Sequence, residues 1–278
     1  MKKFSVLISV YKRDNPVWIE EALNSIYDGQ IRKPDEIYIV IDGPVPDSIK
    51  EILFRFKDKN KSIVVLHQIE KNVGLGEALK IGSEKCKGDY IFRMDSDDIS
   101  HPLRFQKQIE YIEKHPDVDV LGGNICEFIE SINEKIRVRM CPVDMEGIIK
   151  LSKIRNPMNH VTVCIKKESL MKCGGYEGLL LLEDYYLWVK MISSGMKLEN
   201  INEILVYVRL GREFEERRGD PVRIKGWFFI QKFMLRRKMI GILTLLCNMV
   251  GIIVFTYAPV GLRKFIYRKF LRRNIINK

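Results

Sequence analysis

Apolar positions in the first hundred residues form short unbroken runs separated by amphipathic stretches. Phe4-Ser5-Val6-Leu7-Ile8-Ser9-Val10-Tyr11 is too short for a helix and reads as a strand buried on both faces. Asn15-Pro16 opens a helix through Leu23-Asn24-Ser25-Ile26, with Asn15 as N-cap and Pro16 in the first turn. Further strands are predicted at Glu36 to Ile41, Ile63 to Leu66 and Tyr90 to Met94. Helices are predicted at Ser48 to Phe56 and Glu77 to Cys86. Strands and helices alternating at this rhythm predict an α/β sandwich with a mostly parallel sheet covered on both faces. Ligands of such sheets lie at the carboxyl ends of the strands, where Tyr11, Asp42 and the acidic run after Met94 all fall.

The second half is less regular. Leu103, Phe105, Ile109, Tyr111 and Ile112 predict one helix over 102–115, and Val118 to Leu121 a strand ending at Gly122-Gly123. Weak alternation over 124–140 suggests a hairpin. A turn at Asn156-Pro157-Met158-Asn159-His160 precedes a strand at Val161 to Ile165. Ser169 to Cys173 is a short helix closed by Gly174-Gly175, Glu183 opens a helix ending at Gly195, and Ile204 to Leu210 is the last strand.

Composition adds two constraints. With 278 residues, 46% hydrophobic and 30% charged, the chain can bury a sizeable core. Six cysteines are scattered without a C-x-x-C pair, and Met1-Lys2-Lys3 runs straight into a strand, so a reducing, cytoplasmic compartment is expected. The net charge of +11 is uneven. From Arg209 onward there are 17 Lys or Arg against 4 Asp or Glu, a net of +13, which leaves the preceding chain at −2. A near-neutral body argues against nucleic acid as partner, while the basic tail seeks an anionic surface.

The chemistry concentrates in Met94-Asp95-Ser96-Asp97-Asp98. Three carboxylates within four residues at a strand end repel one another, and a hard cation such as Mg²⁺ or Mn²⁺ removes that cost. Asp95 and Asp97 point to one face of an extended chain, a D-x-D pair able to hold a metal against a diphosphate. Asp98 or Ser100 would cap the helix that Pro102 opens.

These residues, together with Ser5 to Tyr11, Val40-Ile41-Asp42-Gly43, Asn72-Val73-Gly74-Leu75-Gly76 and Glu183-Asp184, occur in the order found in family 2 glycosyltransferases, which the chain resembles. Asn156 to His160 with Gly174-Gly175-Tyr176 is similar to the amylovoran-type subgroup that builds bacterial surface polysaccharides (O-antigen, capsule or exopolysaccharide). The resemblance covers roughly residues 4 to 210. It implies the GT-A fold and inverting, metal-dependent transfer of a hexose or N-acetylhexosamine from a UDP-sugar. Residues 1–100 would then be the nucleotide-sugar half, 101–210 the acceptor half and 211–278 a C-terminal appendage. Asp97 resembles the family's metal ligand, and Asp95 would contact metal or ribose. Asp42 resembles the carboxylate that hydrogen-bonds the base; the family usually reads D-D-G-S where this chain has Ile41-Asp42-Gly43-Pro44. Ser9 and Tyr11 would line the same edge, and Asn72 and Gly74 would bring backbone close to the nucleotide. Asp184 is the expected catalytic base. Glu183, His160 and Trp188 are acceptor-side candidates, with core packing the alternative for Trp188 and a structural hydrogen bond for His160. A dehydrogenase is disfavoured, because Gly74-Leu75-Gly76 follows the third strand and Leu79 stands where a third glycine belongs. A nucleotidyltransferase lacks its glycine-rich loop in Tyr11-Lys12-Arg13-Asp14-Asn15. With a non-catalytic nucleotide-sugar-binding protein, it remains the alternative.

The tail joins both themes. Trp227, Phe228, Phe229 and Phe233 precede Arg236-Arg237-Lys238, residues 239–262 carry no formal charge, and Arg263-Lys264, Arg268-Lys269 and Arg272-Arg273 follow. Basic flanks on both sides favour a hairpin-like or in-plane insertion over a spanning helix. The alternative is a helical pair packed on the body. The expected place is the cytoplasmic face of the inner membrane, peripheral or monotopic, with a lipid-linked glycan as acceptor.

Overall fold

Alternate positions of β1 (Phe4–Val10) enter different cores: Phe4, Val6, Ile8 and Val10 pack on one side of the sheet and Leu7 on the other. The same period of two divides β2 (Glu36–Asp42), sending Ile37, Ile39 and Ile41 one way and Tyr38 and Val40 the other. In this computed structural model, which describes residues 2–179, 181–211, 220–259, 261–263 and 273–274, β2 pairs in parallel with β1 and with β3 (Val64–Ile69). β1 also pairs in parallel with β4 (Tyr90–Met94). Helices α1 (Pro16–Ile26) and α2 (Asp47–Lys59) cover the first face, and α3 (Leu75–Lys85) the second. Asn15 caps α1 as expected, its Oδ1 accepting from the Val17 amide at 2.9 Å.

Beyond β4 the chain turns through β5 (Ile99–Ser100) into α4 (Arg104–Lys114), β6 (Val120–Phe128), β7 (Lys135–Arg139) and α5 (Met145–Ser152). A 3₁₀ turn at His160–Thr162 leads to β8 (Cys164–Lys166), α6 (Lys167–Lys172), α7 (Glu183–Ser193) and β9 (Leu198–Arg209). β8 lies antiparallel between β4 and β6, β6 forms the expected antiparallel hairpin with β7, and β9 runs parallel to β6 and antiparallel to β5. Four strand pairs among the described residues are parallel and five antiparallel, so the sheet is mixed and not mostly parallel. The parallel half is the one legible from strand–helix alternation.

Two local expectations give way. The strand at 118–121 does not stop at Gly122-Gly123 but runs on to Phe128. These glycines admit β9: a Cβ at Gly122 would lie 2.4 Å from Asn200 Oδ1, and one at Gly123 2.6 Å from Leu205 Cδ1. Asp98 and Ser100 do not cap the next helix, because Ile99–Ser100 is drawn into the sheet opposite Val206 and Tyr207 and α4 starts only at Arg104. Asp98 instead accepts the Arg209 amide at 2.9 Å.

The C-terminal part adds α8 (Val222–Arg236), α9 (Ile242–Tyr257) and a two-residue strand β10 (Arg273–Asn274) paired with β7. A third core joins Leu182, Tyr185, Tyr186 and Val189 to Ile230, Met234, Ile240 and Leu245, so the helical pair packs on α7. The outer stripe of α9 is apolar and open: Leu243 is 74% exposed, Val254 63% and Tyr257 70%. No described helix is long and apolar enough to cross a membrane. Lys264, Arg268, Lys269 and Arg272 lie outside the described residues.

The approach of β4 to β1 depends on Gly88, whose amide donates to Ser5 Oγ at 2.9 Å. A Cβ there would sit 2.5 Å from the Ser5 nitrogen and 2.7 Å from the Phe4 backbone, which cannot rotate away. Gly88→Ala should therefore lower stability by about 1–3 kcal/mol, read as the midpoint of urea unfolding. An unchanged midpoint would contradict this packing.

Candidate active site

β1, β2 and β4 deliver their carboxyl ends to one edge of the sheet, and the acidic residues collect there. Asp95, Asp97 and Asp98 each offer an oxygen, and the three oxygens lie within 4.8 Å of one another. Asp14, in the loop after β1, joins them: its Oδ2 accepts from Ser96 Oγ at 2.8 Å and from the Tyr11 amide at 3.1 Å. Burial, reinforced by Asp95 and Asp14, pushes Asp97 up to about 6. Burial also pushes Asp14 up to about 6, and raises Asp98 well above the usual carboxylate range with help from Asp97 and Asp95. The donors are all hard carboxylate oxygens without imidazole or thiolate, a set that suits Mg²⁺ or Mn²⁺.

Arg93 holds this cluster from below. Its side chain is 4% exposed, and both terminal nitrogens donate to the two oxygens of Asp95. Arg209, at the end of β9, closes the cluster from above: its guanidinium donates to the Asp97 and Glu130 carbonyls and to Glu21, and stacks over Trp18 and Phe128.

At the carboxyl ends of β2 and β3, Asp42 meets the loop after β3. Asp42 is buried, and its carboxylate accepts from Asn72 Nδ2 at 2.8 Å, the Val73 amide at 2.7 Å and the Gly74 amide at 3.0 Å. Asp42 thus moulds the Asn72–Gly74 loop, which Gly43 admits: at φ +82 its missing Cβ would lie 2.6 Å from the Asn72 nitrogen. Gly74, at φ +86, leaves open space where a side chain would stand. Ser9 is half-buried opposite Val40, and Tyr11 is half-buried beside Asp14.

The second acidic pair starts α7. Asp184 Oδ2 accepts from Asn156 Nδ2 at 2.6 Å and Oδ1 from the Tyr185 amide at 2.7 Å. Burial, then the neighbouring Asp184 charge, pushes Glu183 up to about 7. The pair adjoins the nucleotide-side loop, since a Cβ on Gly76 would lie 3.4 Å from the Glu183 Cβ and 3.2 Å from the Glu177 carbonyl. Among these acids the ion pair of Arg93 is with Asp95.

Two acceptor-side candidates behave differently. Trp188 is fully buried in the core, so it does not present a face for sugar stacking; its α-helical position turns it under the sheet. His160 is half-buried, with Nε2 3.0 Å from the Tyr176 hydroxyl and its ring 5.9 Å from that of Trp188. Burial, then the Arg93 charge, lowers His160 well below the usual imidazole range. Sequence reasoning gave no site role to Asp14, Arg93 or Arg209, and named Asn156 only as part of a motif. Two of them left a signal: Asp14 sits in the loop at the strand end, and Arg93 is a charge inside an otherwise apolar strand.

This chain matches the family model described as glycosyl transferase family 2 over residues 5–180. It is 38% identical over 271 residues to an uncharacterized glycosyltransferase of Haemophilus influenzae, covering 98% of this chain and 100% of that protein. It is 35% identical over 266 residues to the amylovoran biosynthesis glycosyltransferase AmsE of Erwinia amylovora, covering 96% and 98%. Identity is 34% over 271 residues, covering 98% and 97%, with the Escherichia coli UDP-Gal:alpha-D-GlcNAc-diphosphoundecaprenol beta-1,3-galactosyltransferase. Among solved structures, S. aureus TarS 1–349 in complex with UDP-GlcNAc shares the fold, with a TM-score of 0.65 at 16% identity, over 95% of this chain and 75% of that one. So does the mannosyltransferase of Pyrobaculum calidifontis in complex with GDP-Man and Mn²⁺, with a TM-score of 0.63 at 13% identity, over 96% and 81%. With the family model matching residues 5–180 and these sequence relatives covering 96% or more of it, the chain belongs to the family 2 glycosyltransferases.

Proposed function

We propose that this glycosyltransferase moves a hexose or N-acetylhexosamine from a UDP-sugar, with inversion, to a lipid-linked glycan acceptor in bacterial surface polysaccharide assembly. The observation that carries this reading is the convergence of Asp95, Asp97 and Asp98 at the end of β4, with Glu183 of the second acidic pair packed against Gly76 at the start of α3. The relative acting on diphosphoundecaprenol-linked GlcNAc supports the acceptor class. Residues 1–100 would bind the nucleotide-sugar, with Asp42 shaping the Asn72–Gly74 loop and Ser9 and Tyr11 lining the edge. Residues 101–210 would bind the acceptor.

Asp97 and Asp98, with Asp95 held by Arg93, would hold Mg²⁺ or Mn²⁺. When bound, that cation supplies Lewis-acid stabilisation of the departing diphosphate. Asp184, oriented by Asn156, takes the proton from the acceptor hydroxyl as its oxygen bonds to the anomeric carbon; the bond from that carbon to the diphosphate breaks and UDP leaves. A second reading gives the base to Glu183, because its pKa of about 7 is matched to such work.

Residues 211–278 would attach the enzyme to the cytoplasmic leaflet. Exposed Phe228 and Phe229 on α8, exposed Lys225, Lys232 and Arg236 to Lys238, and the open stripe of α9 supply rings, cations and apolar surface together. Removing this part is a poor test, because it uncovers Tyr185 and Val189 behind Asp184. In the full chain, Leu243→Glu with Val250→Glu and Val254→Glu should abolish flotation with anionic liposomes while donor hydrolysis persists. Undiminished flotation would refute attachment through this face.

The acidic cluster makes cation binding depend on pH. A carboxylate whose folded pKa is raised contributes stability fully present below the usual carboxylate range and lost as pH rises through about 6. Mg²⁺ or Mn²⁺ should restore that loss. At about 100 times its dissociation constant, the cation should add about 2.7 kcal/mol near pH 7.5 and little near pH 5. Thermal unfolding at the two pH values checks this, and Asp97→Asn should erase the difference. An equal increment at both pH values would remove the metal from this site.

The base assignment is decided by two variants. Asp184→Asn should lower kcat by about 10²–10⁴-fold while UDP-sugar binding by calorimetry stays within about twofold. If Glu183 is the base, Glu183→Gln takes that loss instead, and the wild-type rate falls on the acid side of about pH 7.

A further inference from the structure

An acceptor sugar whose hydroxyl meets Asp184 carries its own charge. In a lipid-diphosphate-linked sugar the diphosphate lies across one pyranose ring from the attacking oxygen. It must settle close to Asp184, on the side away from the donor, and its negative charge needs a cation there. Arg93 and Arg209 are committed to Asp95 and to Glu21 with two carbonyls. Neither is available on the acceptor side.

α8 brings another cation to that side. α7 and α8 run in the same direction: Gly226 sits against Leu182 and Leu179, Trp227 is 5.4 Å from Tyr185, and Phe229 and Phe233 lie 5.1 and 5.4 Å from Tyr186. Arg223 is one turn before Gly226 and Trp227 on the same face, which carries it to the end of α7 where Glu183 and Asp184 begin the helix. Burial lowers the Arg223 guanidinium from its ordinary value, and the Asp184 and Glu183 charges oppose that. Arg223 is half-buried, and among the described residues it forms no ion pair. Its guanidinium stays charged, and its planar fork matches phosphate oxygens two at a time. Farther along α8, Phe228 and Phe229 are exposed, as is the outer stripe of α9, so the C-terminal helices offer apolar surface to a lipid chain.

We propose that Arg223 binds the diphosphate of the acceptor, and so selects diphosphate-linked over phosphate-free sugars; this rests on the lipid-linked reading of the acceptor. The same chemistry could serve the donor's diphosphate, and the test separates the two. Full-length wild type, Arg223→Gln and Arg223→Lys are assayed with one sugar presented in two forms, on a long-chain lipid diphosphate and as an alkyl glycoside. Arg223→Gln should raise KM for the diphosphate form by about 10–100-fold and leave KM for the glycoside and for the UDP-sugar within about twofold. Arg223→Lys should fall between, and melting temperatures establish that both variants fold. A parallel loss on both acceptors overturns the proposal, as does unchanged kinetics. A raised donor KM assigns Arg223 to the donor diphosphate instead, and a lowered kcat with a displaced pH profile makes it a positioning residue for the base. Wild type that ignores the diphosphate form while using the glycoside refutes the acceptor class as well. An active wild type with an indifferent Arg223→Gln refutes this inference alone.

Discussion

Like charge crowded at the carboxyl end of β4 sets the terms for the structure around it. Asp95, Asp97 and Asp98 converge, with Asp14 arriving from the loop after β1. Such a group is costly to bury unless cations and donors meet it. Arg93 answers from within the strand, and behind it the fully buried Arg104 donates to the Arg93 carbonyl at 2.8 Å. The irregular half of the sheet supplies the rest. β9 pairs with β5, and in doing so presents the Arg209 amide to Asp98 and its guanidinium to the Asp97 carbonyl. These contacts run from β9 to the end of β4, so the antiparallel additions and the acidic site depend on one another.

The same economy of support links the C-terminal helices to the second acidic pair. Asn156, which orients Asp184, sits in a loop tied down twice. The Tyr185 hydroxyl donates to the Ser152 carbonyl at 2.6 Å, and Asn248 of α9 donates to the Lys153 carbonyl at 2.7 Å. Asn248 also donates to Gln231 of α8 at 2.8 Å. The helices that turn an apolar stripe outward thus also brace the loop and the helix that hold Asp184. Hydrogen bonds and a packed core thus join α9 to the surroundings of Asp184.

Much was legible in the residues alone. Unbroken apolar runs announced strands buried on both faces, and the two cores sort their side chains by the period of two. Asn15-Pro16 marked a helix start, alternation after Gly123 marked a hairpin, and Asp95-Ser96-Asp97 marked a strand end able to meet a cation. Each is a local signal, set by backbone geometry over a few residues. The family resemblance extended this reach by order and spacing, and singled out Asp184 for the role proposed above.

What only the tertiary structure decided are partnerships across long stretches of chain. Ser96 and Asp14 are 82 positions apart, Asp98 and Arg209 111, Asn156 and Asp184 28. No periodicity encodes such pairs. Gly122 and Gly123 read as a strand end because their lack of a side chain is a turn signal locally, yet here it is space for β9. Trp188 read as a stacking candidate one turn from Asp184, yet α7 turns it into the core. The sequence by itself determined the strands and helices of the parallel half and where charge accumulates, because those follow from side-chain period and short-range repulsion; α5 and the 3₁₀ turn at His160–Thr162 did not show in it. Which carboxylate faces which cation was decided by packing, since burial and field depend on neighbours that only the folded chain brings together.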